Sequence, residues 1–212
     1  MNYSHVTFSV LNLKEQIKNI EGFLFDTEDE FQKSVASYFN IDLEYLKTLN
    51  KSAKKKYVKA IVEKSYYDNL TFMEEKKQEF QHIWDENEKE INLEFEKIFN
   101  TKFTKTKNHI AYINLNNVCP RFLDTQSFYV NAFSDSDFLL NVCVHELIHF
   151  YWFELFAKEF PDISKSNYEY PNVEWLLSEI AVDPIMYYSK LKKYCKKYRA
   201  AYDKFYEKDL DG

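Results

Sequence analysis

Val144-His145-Glu146-Leu147-Ile148-His149-Phe150 places two histidines four residues apart inside an apolar run. On an α-helix such positions differ by about 40° in azimuth and one turn in height, so both imidazoles reach toward one ion. Glu146 projects from the adjoining face, placed to take a proton from a water that the ion activates. Leu147 and Ile148, with Val144 and Phe150 beside them, predict a buried helix, in which two histidines and a glutamate are costly without a task. Two core histidines satisfied by hydrogen bonds are the bland alternative. With 5 histidines among 212 residues, a chance H-E-x-x-H is expected in on the order of one per cent of such chains.

A catalytic zinc site takes three protein ligands and keeps one position for water or substrate. No histidine follows His149. Trp152 and Leu155 stand where the longer H-E-x-x-H-x-x-G-x-x-H pattern has its glycine and its third histidine. The third ligand is therefore expected to be acidic, from among Glu154, Glu159, Asp162, Glu169, Glu174, Glu179 and Asp183. Glu154 and Glu159 share the histidine helix at spacings that swing them away, and Asp162 lies in the turn behind it. Glu179 and Asp183 are i and i+4 on a second helix around Trp175–Asp183, on one flank of a face formed by Val173, Leu176, Leu177, Ile180 and Ala181 and expected to be buried. Glu179 is favoured on that ground, with Glu174 as its competitor.

Elements extend outward from this pair of helices. Ser134-Asp135-Ser136-Asp137 offers N-caps for the histidine helix, which Pro161 stops after about Glu159. Pro171-Asn172 opens the acid-bearing helix, which is expected to kink or restart at Pro184 and run to about Lys208. His109–Leu115 and Ser127–Phe133 are rich in strand formers and predict a small sheet. Residues 5–11 suggest another strand; helices are expected over about 12–21, 28–48, 53–67 and 70–99. In the last of these Phe80, Ile83, Trp84, Ile91, Phe95, Ile98 and Phe99 recur at helical spacing.

Composition removes several classes. Only two glycines, Gly22 and Gly212, are present, so Gly-rich phosphate loops cannot be assembled. A net charge of -6 gives no general attraction to nucleic acid or anionic lipid. The basic run Lys190, Lys192, Lys193, Lys196, Lys197, Arg199 reads as a solvated helix face. Cys119, Cys143 and Cys195 are odd in number and form no C-x-x-C pair, which favours a reducing compartment. No stretch approaches the ~20 apolar residues of a membrane span, and no basic segment precedes an apolar run near Met1. A cytoplasmic protein is expected, without nucleic-acid or membrane partners.

His145-Glu146-x-x-His149, followed by a helix bearing Glu179-x-x-x-Asp183, resembles the gluzincin zinc metallopeptidases, the thermolysin-like branch of the zincins, over roughly residues 108 to 188. The resemblance implies Zn2+ held by His145, His149 and Glu179, with Glu146 as general base. It implies for Asp183 a hydrogen bond from the first histidine, a partner that fixes an imidazole's tautomer and raises its basicity. It also implies a strand antiparallel to bound substrate, for which Phe128–Phe133 is the candidate edge, with an ordinary interior strand as the other reading of that segment.

The fold expected is α+β and zincin-like, a small sheet with an active-site helix and a glutamate helix. Residues 1–100 are expected as a mainly helical N-terminal region and 101–212 as the zincin-like core with a C-terminal helix. The function expected is hydrolysis of peptide bonds in a peptide or protein substrate; a non-catalytic or regulatory binding protein on the same scaffold is the other reading. Tyr187, Tyr188, Tyr170, Tyr168 and His109 are the donors considered for stabilising an oxyanion.

Overall fold

The computed structural model describes residues 4–26, 30–100 and 107–195. In chain order these form β1 (Ser4–Val10), α1 (Leu13–Phe25), α2 (Glu30–Tyr38), α3 (Leu43–Thr48), α4 (Lys51–Ile98), β2 (Lys107–Asn114), β3 (Arg121–Phe122), β4 (Ser127–Asn131), α5 (Ser136–Glu159) and α6 (Val173–Tyr187). Short 3-10 turns occupy Lys165–Tyr168 and Lys190–Tyr194. The fold is mixed α+β with a four-stranded sheet in the order β1-β2-β4-β3.

The chain divides into two compact units that interleave along the sequence. One takes described residues within 1–5, 83–108 and 135–212, the other within 6–82 and 109–134. The latter holds most of the sheet, with α1, α2, α3 and the first part of α4. Its β4 pairs in parallel with β2, from Ile110 opposite Ser127 to Asn114 opposite Asn131. On its other side β4 pairs antiparallel with β3. All five β4 residues are buried, as a strand enclosed on both faces requires.

β4 is therefore an interior strand, and the expected substrate-binding edge at Phe128–Phe133 is corrected. On its outer side β3 pairs with Ser127 and Phe128, and Tyr129 N donates to Pro120 O; so short a strand leaves no period in the sequence. In this unit Gln81 satisfies the backbone of β1, its Nε2 donating to Val6 O and its Oε1 accepting from Phe8 N, both at 3.0 Å. Val6, Phe8, Ile20, Val62, Met73, Phe80, Ile113 and Phe128 form its core.

Helices α2 and α3 replace the single helix expected over 28–48. Asn40 takes a left-handed φ of 53°, Ile41 N donates to Ala36 O and Asn40 N to Ser37 O, the pattern of a Schellman stop. Asp42 then caps α3, accepting from Glu44 N and Tyr45 N. Conversely, the two helices expected over 53–67 and 70–99 are one 48-residue helix. Asp68 and Asn69 do not break it: Asp68 pairs with Lys64, and Asn69 Nδ2 donates to Ser65 O at 2.8 Å.

The other unit is built on residues 83–98 of α4 with α5 and α6. Trp84, Ile91, Phe95, Leu139, Val144, Leu147, Ile148, Val182 and Met186 fill its core. Tyr151 of α5 lies against Phe95 and Phe99, with ring centroids 5.0 and 5.2 Å apart. α6 passes through Pro184 and ends at Tyr187; Lys190–Tyr194 is a 3-10 turn rather than the expected α-helix, and residues 196–208 lie outside the described residues. No helix among the described residues is long and apolar enough to cross a membrane.

Candidate metal centre

α5 begins at Asp135, whose Oδ1 accepts from Phe138 N at 2.8 Å, which satisfies one orphan amide of the first turn. Beyond this cap Leu139, Cys143, Val144, Leu147, Ile148, Phe150 and Phe153 are buried. That burial holds the helix azimuth and brings His145 and His149 to one stripe. His149 is fully buried, whereas the His145 side chain keeps 24% of its accessible surface. Solvent therefore reaches the cluster on the His145 side.

The acid comes from α6. Glu179 sets its two carboxylate oxygens toward the two rings, Oε1 at 3.4 Å from His149 Nε2 and Oε2 at 3.7 Å from His145 Nε2. The two Nε2 atoms are 3.1 Å apart. A tetrahedral zinc ion about 2.05 Å from each donor spaces its donors about 3.3 Å apart. Separations of 3.1, 3.4 and 3.7 Å bracket that spacing, and two imidazoles with one carboxylate are a donor set that catalytic zinc takes. Among the described residues these three form a group able to hold a metal ion.

Electrostatics point the same way. Burial pushes the Glu179 carboxyl up, but hydrogen bonds and charge attraction from His145 and His149 outweigh it and hold the group well below the usual carboxylate range. An ionised carboxylate facing two ring nitrogens in a buried place calls for positive charge, as a proton on an imidazole or as a cation.

The remaining acids are placed elsewhere. Glu174, the competitor, accepts from Asn167 Nδ2 at 3.3 Å. Glu154 pairs with Lys107 and Lys158, and Glu159, Asp162 and Glu169 are exposed. Glu146 is buried on α5 with 7% exposure, and Asp183 is buried one turn beyond Glu179. Of the oxyanion donors considered, Tyr168 is stacked on Phe153 at 4.5 Å. Tyr170 is an exposed residue set edge-on against Trp175 at 5.1 Å. Tyr187 is half-buried, Tyr188 is 91% exposed and His109 is buried on β2.

Two features escaped the sequence reading. Cys195 is buried beside the end of α6: burial pushes its thiol up to about 11, against a hydrogen bond from Asn141 and with the Asp183 charge adding to the rise. Asn141 stands four residues before His145, so the i, i+4, i+8 spacing Asn141, His145, His149 was the available signal. The face of α6 is the second. Its buried residues are Ser178, Glu179, Val182, Asp183 and Met186, whereas Val173, Leu177 and Ile180, expected inside, are exposed. Periodicity locates an apolar stripe but not its direction, and here the carboxylates turn inward.

Comparison with protein-family models, with curated proteins and with solved structures finds no match for this chain.

Proposed function

We propose that the chain is a zinc-dependent metallopeptidase of gluzincin type on a zincin-like scaffold, acting on a peptide or protein substrate in the cytoplasm. The convergence of His145, His149 and Glu179 within 4.8 Å is the observation that carries this reading. These three residues would hold the ion. Zinc, when bound, supplies a Lewis acid that polarises a carbonyl and brings the pKa of water to about 7.

The chain's own part is positioning and proton transfer. Glu146 lies in the same helical turn as His145 and is buried, with 7% exposure. It takes a proton from the attacking water and passes it to the leaving amine. Glu179 would contribute the anionic donor of the three, with one carboxylate oxygen toward each imidazole. Asp183, buried on α6 one turn beyond Glu179, would by the gluzincin resemblance accept a hydrogen bond from the first imidazole and orient it.

The test is hydrolysis of a mixed peptide library by zinc-loaded protein and by Glu146→Gln. The variant keeps its zinc and loses roughly 10²–10⁴-fold in rate. Undiminished hydrolysis by Glu146→Gln, or none by folded, zinc-loaded wild type, refutes the assignment.

A further inference from the structure

His145 and His149 share α5, which fixes their spacing, but Glu179 arrives on α6. Its separations of 3.4 and 3.7 Å from the two rings therefore depend on how α6 is seated on α5. The seat is made on both sides of the cluster. One turn beyond His149, Tyr168 stacks on Phe153 at 4.5 Å, and its neighbour Asn167 donates to Glu174 at the start of α6. One turn before His145 stands Asn141, whose side chain donates a hydrogen bond to Cys195. The 3-10 turn Lys190–Tyr194 that leads to Cys195 packs against both α5 and α6, with Leu191, Tyr194 and Cys195 buried. Cys195 Sγ in turn donates to Leu191 O at 3.6 Å, and the charge of Asp183, one turn beyond Glu179, acts on the same thiol. The turn is also held on α4, where Glu94 Oε1 accepts from Lys190 N at 3.2 Å and Glu90 pairs with Lys193.

We infer that Asn141 and Cys195 are positioning residues of the metal centre: their hydrogen bond fixes the end of α6 on α5 one turn from the cluster and so sets where the Glu179 carboxylate stands. The stacked pair of Tyr168 and Phe153 supplies area without direction, whereas a hydrogen bond between an amide and a sulfur is directional. A metal shell needs that precision, because its donor distances hold only within about 0.2 Å. Asn141 stands on the stripe of α5 that carries the two histidines, half-buried where an apolar residue would pack at less cost. Cys195 is not itself a donor to the ion. It stands outside the group of His145, His149 and Glu179, and its thiol is engaged by Asn141 and Leu191. The inference rests on the metal centre proposed above and not on peptide hydrolysis.

The test is the zinc affinity of the full chain under reducing conditions, with the unfolding midpoint of each metal-free variant measured alongside. Asn141→Ala and Cys195→Ala each weaken zinc about tenfold. The double variant weakens it no further, because both changes remove the same bond. Cys195→Ser, whose hydroxyl keeps an acceptor for Asn141 and a donor for Leu191 O, stays within about twofold of wild type. Asn92→Ala, which removes the bonds to Ser4 in the same unit, lowers the midpoint and leaves zinc affinity unchanged, as any merely structural loss would. Undiminished zinc affinity in Asn141→Ala, losses that add in the double variant, or a Cys195→Ser variant as weak as Cys195→Ala overturns the inference and leaves the metal centre standing. A folded wild type that binds no zinc removes the centre and the inference with it.

Discussion

Glu179 is the acid, of the seven considered for the third position, that groups with both histidines, its carboxylate oxygens 3.4 and 3.7 Å from the Nε2 atoms of His149 and His145. Glu154 has two lysines and Glu174 has an asparagine, but Glu179 is buried against two imidazoles. At the same scale, Tyr129 of β4 shows what burial, helped by nearby groups, does to an ionisable group. Burial, with the nearby Glu15 charge and Tyr112 adding to it, pushes its phenol up to about 12. Folding thus favours the protonated phenol, and the unfolded chain loses that proton first. The contribution is complete below the unfolded value near 10 and fades as pH rises through about 12. Denaturant unfolding at stepped pH should show a loss of about 2 kcal/mol across that window. In Tyr129→Phe this part of the alkaline loss disappears; an unchanged profile contradicts the assignment.

Among the elements, the join between α2 and α3 depends on one left-handed residue, in a chain with almost no glycine. Asn40 at φ 53° takes the place that glycine usually fills at a helix end, since its short polar side chain tolerates that region better than most. Asn40→Gly is expected to hold or raise stability, and Asn40→Ala to lower it by about 1 kcal/mol; equal midpoints for the two in urea unfolding would show that the turn carries no strain. Element existence was legible wherever period and caps agreed: Asp135 was among the expected caps of α5 and does cap it. What was not legible depended on distant partners. The division of 28–48 rested on a backbone conformation at Asn40, and the continuity of α4 across Asp68-Asn69 on side chains bonding back along the helix. The interior place of β4 depended on the two-residue β3, and the inward turn of the acids of α6 on what α5 offered them. A helical wheel contains none of these.

For the whole molecule, the two compact units interleave, so residues close in space come from segments far apart in sequence. Asn92 illustrates this in the unit that carries His145, His149 and Glu179: its Nδ2 donates to Ser4 O at 3.0 Å and its Oδ1 accepts from Ser4 N at 2.8 Å, across 88 residues. Such a pairing has no local signature. The grouping of His145, His149 and Glu179, in contrast, was legible almost entire. His145 and His149 share one helical stripe by local geometry, and Glu179 was reached by asking which later acid could be carried beside a core. Zinc titration of the metal-free full chain, with equilibrium dialysis for stoichiometry and the unfolding midpoint as a second readout, tests that cluster directly. One zinc per chain is expected, with a midpoint that rises with free zinc. The site should be lost in His149→Ala and weakened in Glu179→Ala by more than the ~10–100-fold that loss of a ligand's hydrogen-bond partner costs, while Glu174→Ala leaves it intact. Zinc binding that survives both His149→Ala and Glu179→Ala, or that fails in Glu174→Ala, contradicts the site described.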